Sequence, residues 1–277
     1  MSTLQERLVP AADNVKGLAP GELSSAIPNW HREARQSLGS NARFVREERH
    51  GFLILRQRAA AAEAALAFLL PDPDQAFDHS RIIKHGSRTH VGIVEIAGVR
   101  YVLKRYNCRG RGWGYIGNAF RRSVAVRTWL VNWQYLVRGI PVPEPLLCLE
   151  ERRFRFLERS YILMEFVKNA VSLRERWKQL IDTEKVRFME FFGTLLGAMH
   201  RVGMLHGDLK WDNIMVANEL TLETVRLIDL DGSSASDGCN LRRARIDFNR
   251  FLKALNREEG SIHLRNRVSK AWQQAVM

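Results

Sequence analysis

The sequence predicts an α+β fold in two parts, a β-rich first half and a mostly helical second half, joined near residues 167–170. Three observations carry this. Residues 90–96 and 99–104 are alternating, β-branched runs separated by Ala97-Gly98, the pattern of a hairpin. Tyr161 to Val167 reads as a further strand. Beyond Val171 the spacing becomes helical, above all from Glu184 to Val202, and only two short apolar runs interrupt it. The expected organisation is an N-terminal extension over residues 1–40, a β-rich N-lobe over 41–168 and a short, mostly helical C-lobe over 169–277.

Each element has a local reason. Residues 1–40 are mixed, with scattered Pro and Gly, and read as a loosely packed extension. Residues 57–70 are rich in Ala and predict a helix that stops at Pro71, with PDPDQ continuing as a turn. Ala119 to Val137 predicts a helix, with Val126, Trp129, Leu130, Trp133 and Leu136 on one side. Gly139 ends it, and Pro141, Pro143 and Pro145 prevent a restart. Residues 213–216 and 224–228 are the two short strands of the second half, and Asp247 opens a helical Asp-Phe-Asn-Arg-Phe-Leu segment, where it reads as a cap.

Composition narrows the class. Of 277 residues, 45% are apolar and 26% charged, which excludes wholesale disorder and a coiled coil. Lys and Arg outnumber Asp and Glu by 13, and most of the surplus is Arg, which forks onto phosphate and carboxylate. An anionic partner is expected: nucleic acid, a membrane surface or a phosphorylated substrate. Cys108, Cys148 and Cys239 form neither a disulfide framework nor a zinc pattern, which suits a reducing cytosol. The N-terminus has no apolar signal region, and no apolar run is long enough to span a bilayer.

The chemistry is concentrated in His206-Gly-Asp-Leu-Lys-Trp-Asp-Asn213, which follows a helix and leads into an apolar strand. It places the carboxylate of Asp208 and the carboxamide of Asn213 on one loop. A second apolar run then delivers Asp229-Leu-Asp-Gly232. Hard oxygen donors at the ends of two short strands suit Mg²⁺ shared with substrate phosphates.

These segments resemble the protein-kinase-like fold. His206 to Asn213 is similar to its catalytic loop, H-x-D-x-x-x-x-N, and Leu227-Ile-Asp-Leu-Asp-Gly232 to its Asp-Phe-Gly segment. Val102-Leu-Lys104 resembles the strand of its nucleotide-binding lysine. More narrowly, Tyr101-Val-Leu-Lys-Arg-Tyr-Asn107, Ala125-Val-Arg-Thr-Trp129 and Gly139-Ile-Pro-Val-Pro143 resemble the lipopolysaccharide kinase family, whose members phosphorylate Kdo or heptose in the inner core. The similarity runs from about Ile82 to Leu255.

The resemblance implies an ATP- and Mg²⁺-dependent kinase. Asp208 would orient the acceptor hydroxyl and Lys210 would reach the γ-phosphate. Asn213 and Asp229 would hold Mg²⁺, and Lys104 would meet the α- and β-phosphates. Gly86, Ser87 and Arg88, in the turn between two strands, would cover them with backbone groups. His206 would brace the loop, Asp231 would help the turn before Gly232 or serve as a further metal ligand, and Asp247 would support the loop from beneath. The acceptor would be a lipopolysaccharide core or lipid A precursor, and the enzyme cytoplasmic and peripheral on the anionic cytoplasmic face of the inner membrane. No nucleic acid is expected.

Two departures stand out. The family often has Glu before the helix Trp, where this chain has Thr128, and no acid occurs anywhere from Ile96 to Pro143. Lys104 would then pair with Asp229, with another carboxylate or with ATP alone, which keeps a catalytically weak pseudokinase or adaptor open beside a small-molecule or protein kinase. Gly112-Trp-Gly-Tyr-Ile-Gly117 fits a dinucleotide-binding fingerprint but lacks the acidic residue about twenty positions on. It reads instead as a basic, aromatic loop. The acid-free stretch holds nine Lys and Arg, so most of the net charge flanks the expected phosphate site.

Overall fold

The computed structural model describes residues 29–87, 89–107, 121–153, 156–217 and 224–277. They group into two compact units. One comprises His31–Trp133 and Pro143–Phe166; the other comprises Trp30, Gln134–Val142 and Val167–Met277. These limits differ from boundaries at 40/41 and 168/169. Residues 31–40 are not loose: Ala34 and Ser37 are buried, and Trp129 Nε1 donates to the Ser37 carbonyl at 3.0 Å. Residues 134–142 group with the helical unit, where Leu227 N donates to the Pro141 carbonyl.

The β-rich unit contains α1 (Trp30–Gln36), β1 (Phe44–Arg49), β2 (Phe52–Gln57), α2 (Ala60–Leu69), α3 (Pro73–Asp78), β3 (Arg81–His85), β4 (Thr89–Ile96), β5 (Val99–Asn107), most of α4 (Val124–Val137, whose last turn groups with the helical unit), β6 (Pro145–Arg153) and β7 (Phe156–Glu165). Its strands form one antiparallel sheet in the order β1-β2-β6-β7-β5-β4-β3. The β4–β5 hairpin turns through Ala97 and Gly98, both at positive φ, the geometry that matches strand twist. Asp72 caps α3 by accepting from Asp74 N and Gln75 N, and Pro73 presets its first turn, so the expected PDPDQ turn is a short helix. Leu66, Leu69 and Phe77 bury one side of α2 and α3 against Ile54, Leu103, Leu149 and Leu163 of the sheet. Helix α4 begins at Val124, capped by Ser123 Oγ; residues 119–120 of the expected helix lie outside the described residues. Its Trp129 and Trp133 pack edge-on against Phe44.

The helical unit holds β8 (Val171–Ser172), α5 (Leu173–Trp177), α6 (Asp182–Arg201), β9 (Met204–Leu205), β10 (Ile214–Val216), β11 (Val225–Leu227), β12 (Ser234–Ala235), α7 (Leu241–Glu258) and α8 (Ile262–Val276). Small sheets β11-β10-β8 and β12-β9 lie among the helices. Gly193 and Gly197, one turn apart on α6, let α8 approach closely: a Cβ at Gly197 would stand 2.5 Å from Ala275 Cβ and 2.7 Å from the Trp272 carbonyl. Aromatic rings fill the core, with Phe248 stacked on Trp272 and Phe188 on Phe192. Asp247 does not cap α7. Asn240 does, accepting from Arg243 N, and Asp247 lies in the middle of the helix, buried on its apolar side.

Candidate active site

Residues 206–213 join β9 to β10, and each of those strands pairs with one that follows the loop in sequence. The loop's shape is set by Gly207, at φ 83, where a Cβ would stand 2.2 Å from the Gly232 carbonyl oxygen. Only glycine admits that approach. The loop then closes on itself, with Lys210 N donating to the Asp208 carbonyl and Asn213 N to that of Lys210.

Asp208 and Lys210 are half-exposed and form an ion pair at 2.8 Å. Asp208 Oδ2 accepts from Lys210 Nζ and, at 3.1 Å, from Asn213 Nδ2. That leaves Oδ1 to accept from an incoming hydroxyl. The hydrogen bond to Asp208 raises the Lys210 pKa, which keeps the ammonium charged. Asn213 is buried, and its Nδ2 also donates to the Asp208 carbonyl at 2.8 Å. Both amide hydrogens are therefore committed, and Oδ1 is the end presented as a ligand. Ile228 N donates to the Asn213 carbonyl, which sets Asp229 beside the loop's end. Asp229 has left-handed backbone, at φ 64 and ψ 53, a strained choice typical of functional positions. An amide oxygen and a carboxylate are hard donors that fit Mg²⁺, which needs few protein ligands when phosphates supply the rest. Asp231 lies in the one-turn 3₁₀ helix Leu230–Gly232.

Beneath the loop, Asp247 accepts from His206 N at 2.7 Å, from Gly207 N at 2.9 Å and from His200 Nε2 at 3.3 Å. Trp272 Nε1 donates to His200 Nδ1 at 2.8 Å, which fixes the tautomer that donates to Asp247. Burial pushes the Asp247 carboxyl up, but the hydrogen bonds from the His200 ring and the backbone N–H of His206 outweigh it and hold the pKa below the usual range. His206 Nε2 bonds the Ile228 carbonyl and its Nδ1 accepts from Asp208 N, so it braces the loop. Arg250 donates to the Gly207 carbonyl and Ser233 Oγ to that of His206.

In the β-rich unit Lys104 is buried on β5, opposite Val91 of β4 and Ile162 of β7. Gly86 and Ser87 form the β3–β4 turn, where Gly86 N donates to the Thr89 carbonyl; Arg88 lies outside the described residues, as does 112–117. The register places this turn at the Asn107 end of β5, two pairs beyond Lys104. His90, at the turn's base, accepts from Asn107 Nδ2; burial and the neighbouring His85 and Arg105 lower its pKa. Sequence reasoning missed the parts played by His200, Arg250 and Trp272. Asp247 carried one available signal: it falls on the apolar stripe of Ala244, Phe248, Phe251 and Leu255, where a lone carboxylate needs partners.

An antiparallel β unit with a buried lysine, and a helical unit with this loop, define the protein-kinase-like fold. A solved structure of WaaP in complex with acyl carrier protein has the same fold, at a TM-score of 0.56 and 16% identity, covering 73% of this chain and 83% of that one. The model of the lipopolysaccharide kinase (Kdo/WaaP) family matches residues 78–275, and the chain belongs to that family. It is 25% identical over 162 residues to a 3-deoxy-D-manno-octulosonic acid kinase of Vibrio vulnificus strain CMCP6, and 26% over 163 residues to one from strain YJ016. Each match covers 53% of this chain and 65% of the relative's length. No helix among the described residues is long and apolar enough to cross a membrane.

Proposed function

We propose that the chain is an ATP-dependent kinase that transfers the γ-phosphoryl group to a Kdo or heptose hydroxyl of the lipopolysaccharide inner core. The observation that carries this is the Asp208–Lys210–Asn213 loop, held on Asp247 with Asp229 beside its end. Asp208 orients the acceptor hydroxyl and takes its proton as the oxygen bonds to phosphorus and the bond to the β-phosphate oxygen breaks. Lys210 spreads the charge that gathers on the phosphoryl oxygens. Lys104, Gly86, Ser87 and Arg88 serve the ATP phosphates. Asn213 and Asp229 hold Mg²⁺, which when bound neutralises phosphate charge. A loose transition state needs little beyond such positioning and charge. The domain reading accompanies this, with nucleotide contacts from the β-rich part and catalysis from the helical part. The acceptor is a lipid-anchored core precursor, met at the anionic cytoplasmic face of the inner membrane.

The test is incubation with Mg-ATP and intact or deacylated core acceptors, read as one added phosphate by mass. Transfer by wild type that Asp208→Asn lacks is the expected result. No transfer to any core acceptor, with the variant indistinguishable, overturns it. The sequence of α4, with Thr128 buried where the family resemblance implies Glu, favours a second reading, a catalytically weak member that retains nucleotide binding. Thermal stabilisation by Mg-ATP without transfer would select it.

A further inference from the structure

Helix α7 has a second side that meets the catalytic loop only through Arg250. Its outward face carries Arg242, Arg245, Ile246, Asn249, Arg250 and Lys253, and no exposed acid lies among them. Ile246 is 50% exposed. Helical spacing sets it beside Arg242 one turn before, Arg250 one turn after and Lys253 one turn further. Such a row costs the helix stability by itself, because like charges at three- and four-residue spacing repel. Elsewhere in this unit several basic side chains meet carboxylates: Arg174 pairs with Asp212 and Glu258, Lys185 with Glu259, and Arg267 with Glu190. On α7, Arg242, Arg245 and Lys253 have no such partner among the described residues.

We infer that this face of α7 docks on an anionic lipid surface, with Ile246 entering the headgroup layer and Arg242, Arg245 and Lys253 on lipid phosphates. The chemistry fits a flat, multivalent anion with an apolar interior: the cations are arrayed along a helix, and the apolar residue stands at their centre. The same helix holds the catalytic loop, through Asp247 on the His206 and Gly207 amides and Arg250 on the Gly207 carbonyl. Docking therefore sets that loop about one helix diameter, ~10 Å, from the lipid headgroups, where a lipid-anchored sugar is presented. The inference rests on the proposed kinase reading for that purpose only; the binding itself is tested without acceptor or ATP.

The experiment is co-sedimentation with vesicles of phosphatidylcholine alone and of phosphatidylcholine and phosphatidylglycerol in equal parts. Wild type is expected to bind the anionic vesicles only, and less as salt rises. Arg242→Ser/Arg245→Ser should bind about thirtyfold more weakly, at about fivefold for each lost charge. Ile246→Ser should bind about tenfold more weakly. Arg81→Ser/Arg187→Ser, an equal charge loss at other exposed positions, should bind as wild type. Circular dichroism checks that each variant folds. Wild-type binding by the α7 variants, or an equal loss in the control pair, overturns the inference. So does retention on immobilised polyglutamate with the same variant dependence and no vesicle binding, which would assign the face to an acidic protein. Vesicle binding that follows the expected pattern, with no phosphate transferred to any acceptor, would sink the kinase reading and leave this one standing.

Discussion

The catalytic loop and the β3–β4 hairpin are held in place by different means. In the loop, backbone groups are tied down by side chains: Asp247 takes the amides of His206 and Gly207, Ser233 and Arg250 take their carbonyls, and Asn213 takes that of Asp208. In the hairpin, the ladder between β3 and β4 and one turn bond at Gly86 do the work. A side-chain brace demands particular residues at particular spacings, so it leaves a motif. A ladder demands only extended backbone and alternation, which many sequences supply.

The largest effect expected from breaking this contrast is at Asp208, the proposed proton acceptor. Asp208→Asn keeps the shape and a hydrogen-bonding end but cannot take a proton, and phosphoryl transfer should fall about a thousandfold. Single-turnover kinetics with unchanged Mg-ATP binding would check it. Next comes the brace. Asp247→Ala strips the His206 and Gly207 amides and the His200 ring of their acceptor in the core, which should cost about 3 kcal/mol. Denaturant unfolding measures the loss, and the catalytic rate should fall with it because Asp208 no longer has a fixed loop. The hairpin should respond less. A Cβ at Gly86 would stand 2.8 Å from the Thr89 carbonyl oxygen, so Gly86→Ala must shift the turn at about 1 kcal/mol. KM for ATP should rise while KM for the acceptor stays. Equal losses from Asp247→Ala and Gly86→Ala in acceptor turnover would erase the distinction.

The same distinction explains what was legible in the sequence. Asp208, Lys210, Asn213 and Asp229 announced themselves by identity and spacing, and the structure gathers the first three on one loop with the fourth at its end. The β4–β5 hairpin, the core of α4 and α6 followed from periodicity, and α2 from its run of alanines. Within the large sheet, four strands did not. β1 carries Arg46, Glu47, Glu48 and Arg49 in a row, which reads as solvated chain; at the sheet's edge those charges stay wet. Its partner β2 is a short, mostly buried apolar run, Phe52 to Leu55, which shows no alternation. β3 is exposed at every position, so no inside–outside alternation marks it. β6 begins on Pro145, and its prolines read as a barrier, yet a first strand residue needs no ladder donor. The α7 start was misread because Asp247 resembles a cap until Asn240 is seen to be one. Trp272 and His200 stand 72 residues apart, and no local pattern joins them.

The gentlest probe of the loop's side-chain brace is a proton. Burial depresses the His206 pKa below its ordinary 6.5, against the pull of Asp247, the Ile228 carbonyl, Asp208 and Asp229. The neutral ring is what the fold uses: Nε2 donates to Ile228 and Nδ1 accepts from Asp208 N. Above pH 6.5 the folded and unfolded chains both carry a neutral ring, and the brace contributes in full. As pH falls below that value the unfolded chain takes up the proton first, and stability drops until the folded pKa is passed. The depressed Asp247 carboxyl acts in a separate window, losing its contribution only as pH falls below the ordinary aspartate value of 3.8. Thermal midpoints followed from neutral to mildly acid pH should therefore slope downward for wild type. In His206→Gln, whose amide cannot be protonated there, the slope should flatten while the midpoint at neutral pH drops modestly. Parallel curves would mean that the acid sensitivity lies outside the loop, and that the ladder-held parts of the chain respond to protons as strongly as the side-chain-held one.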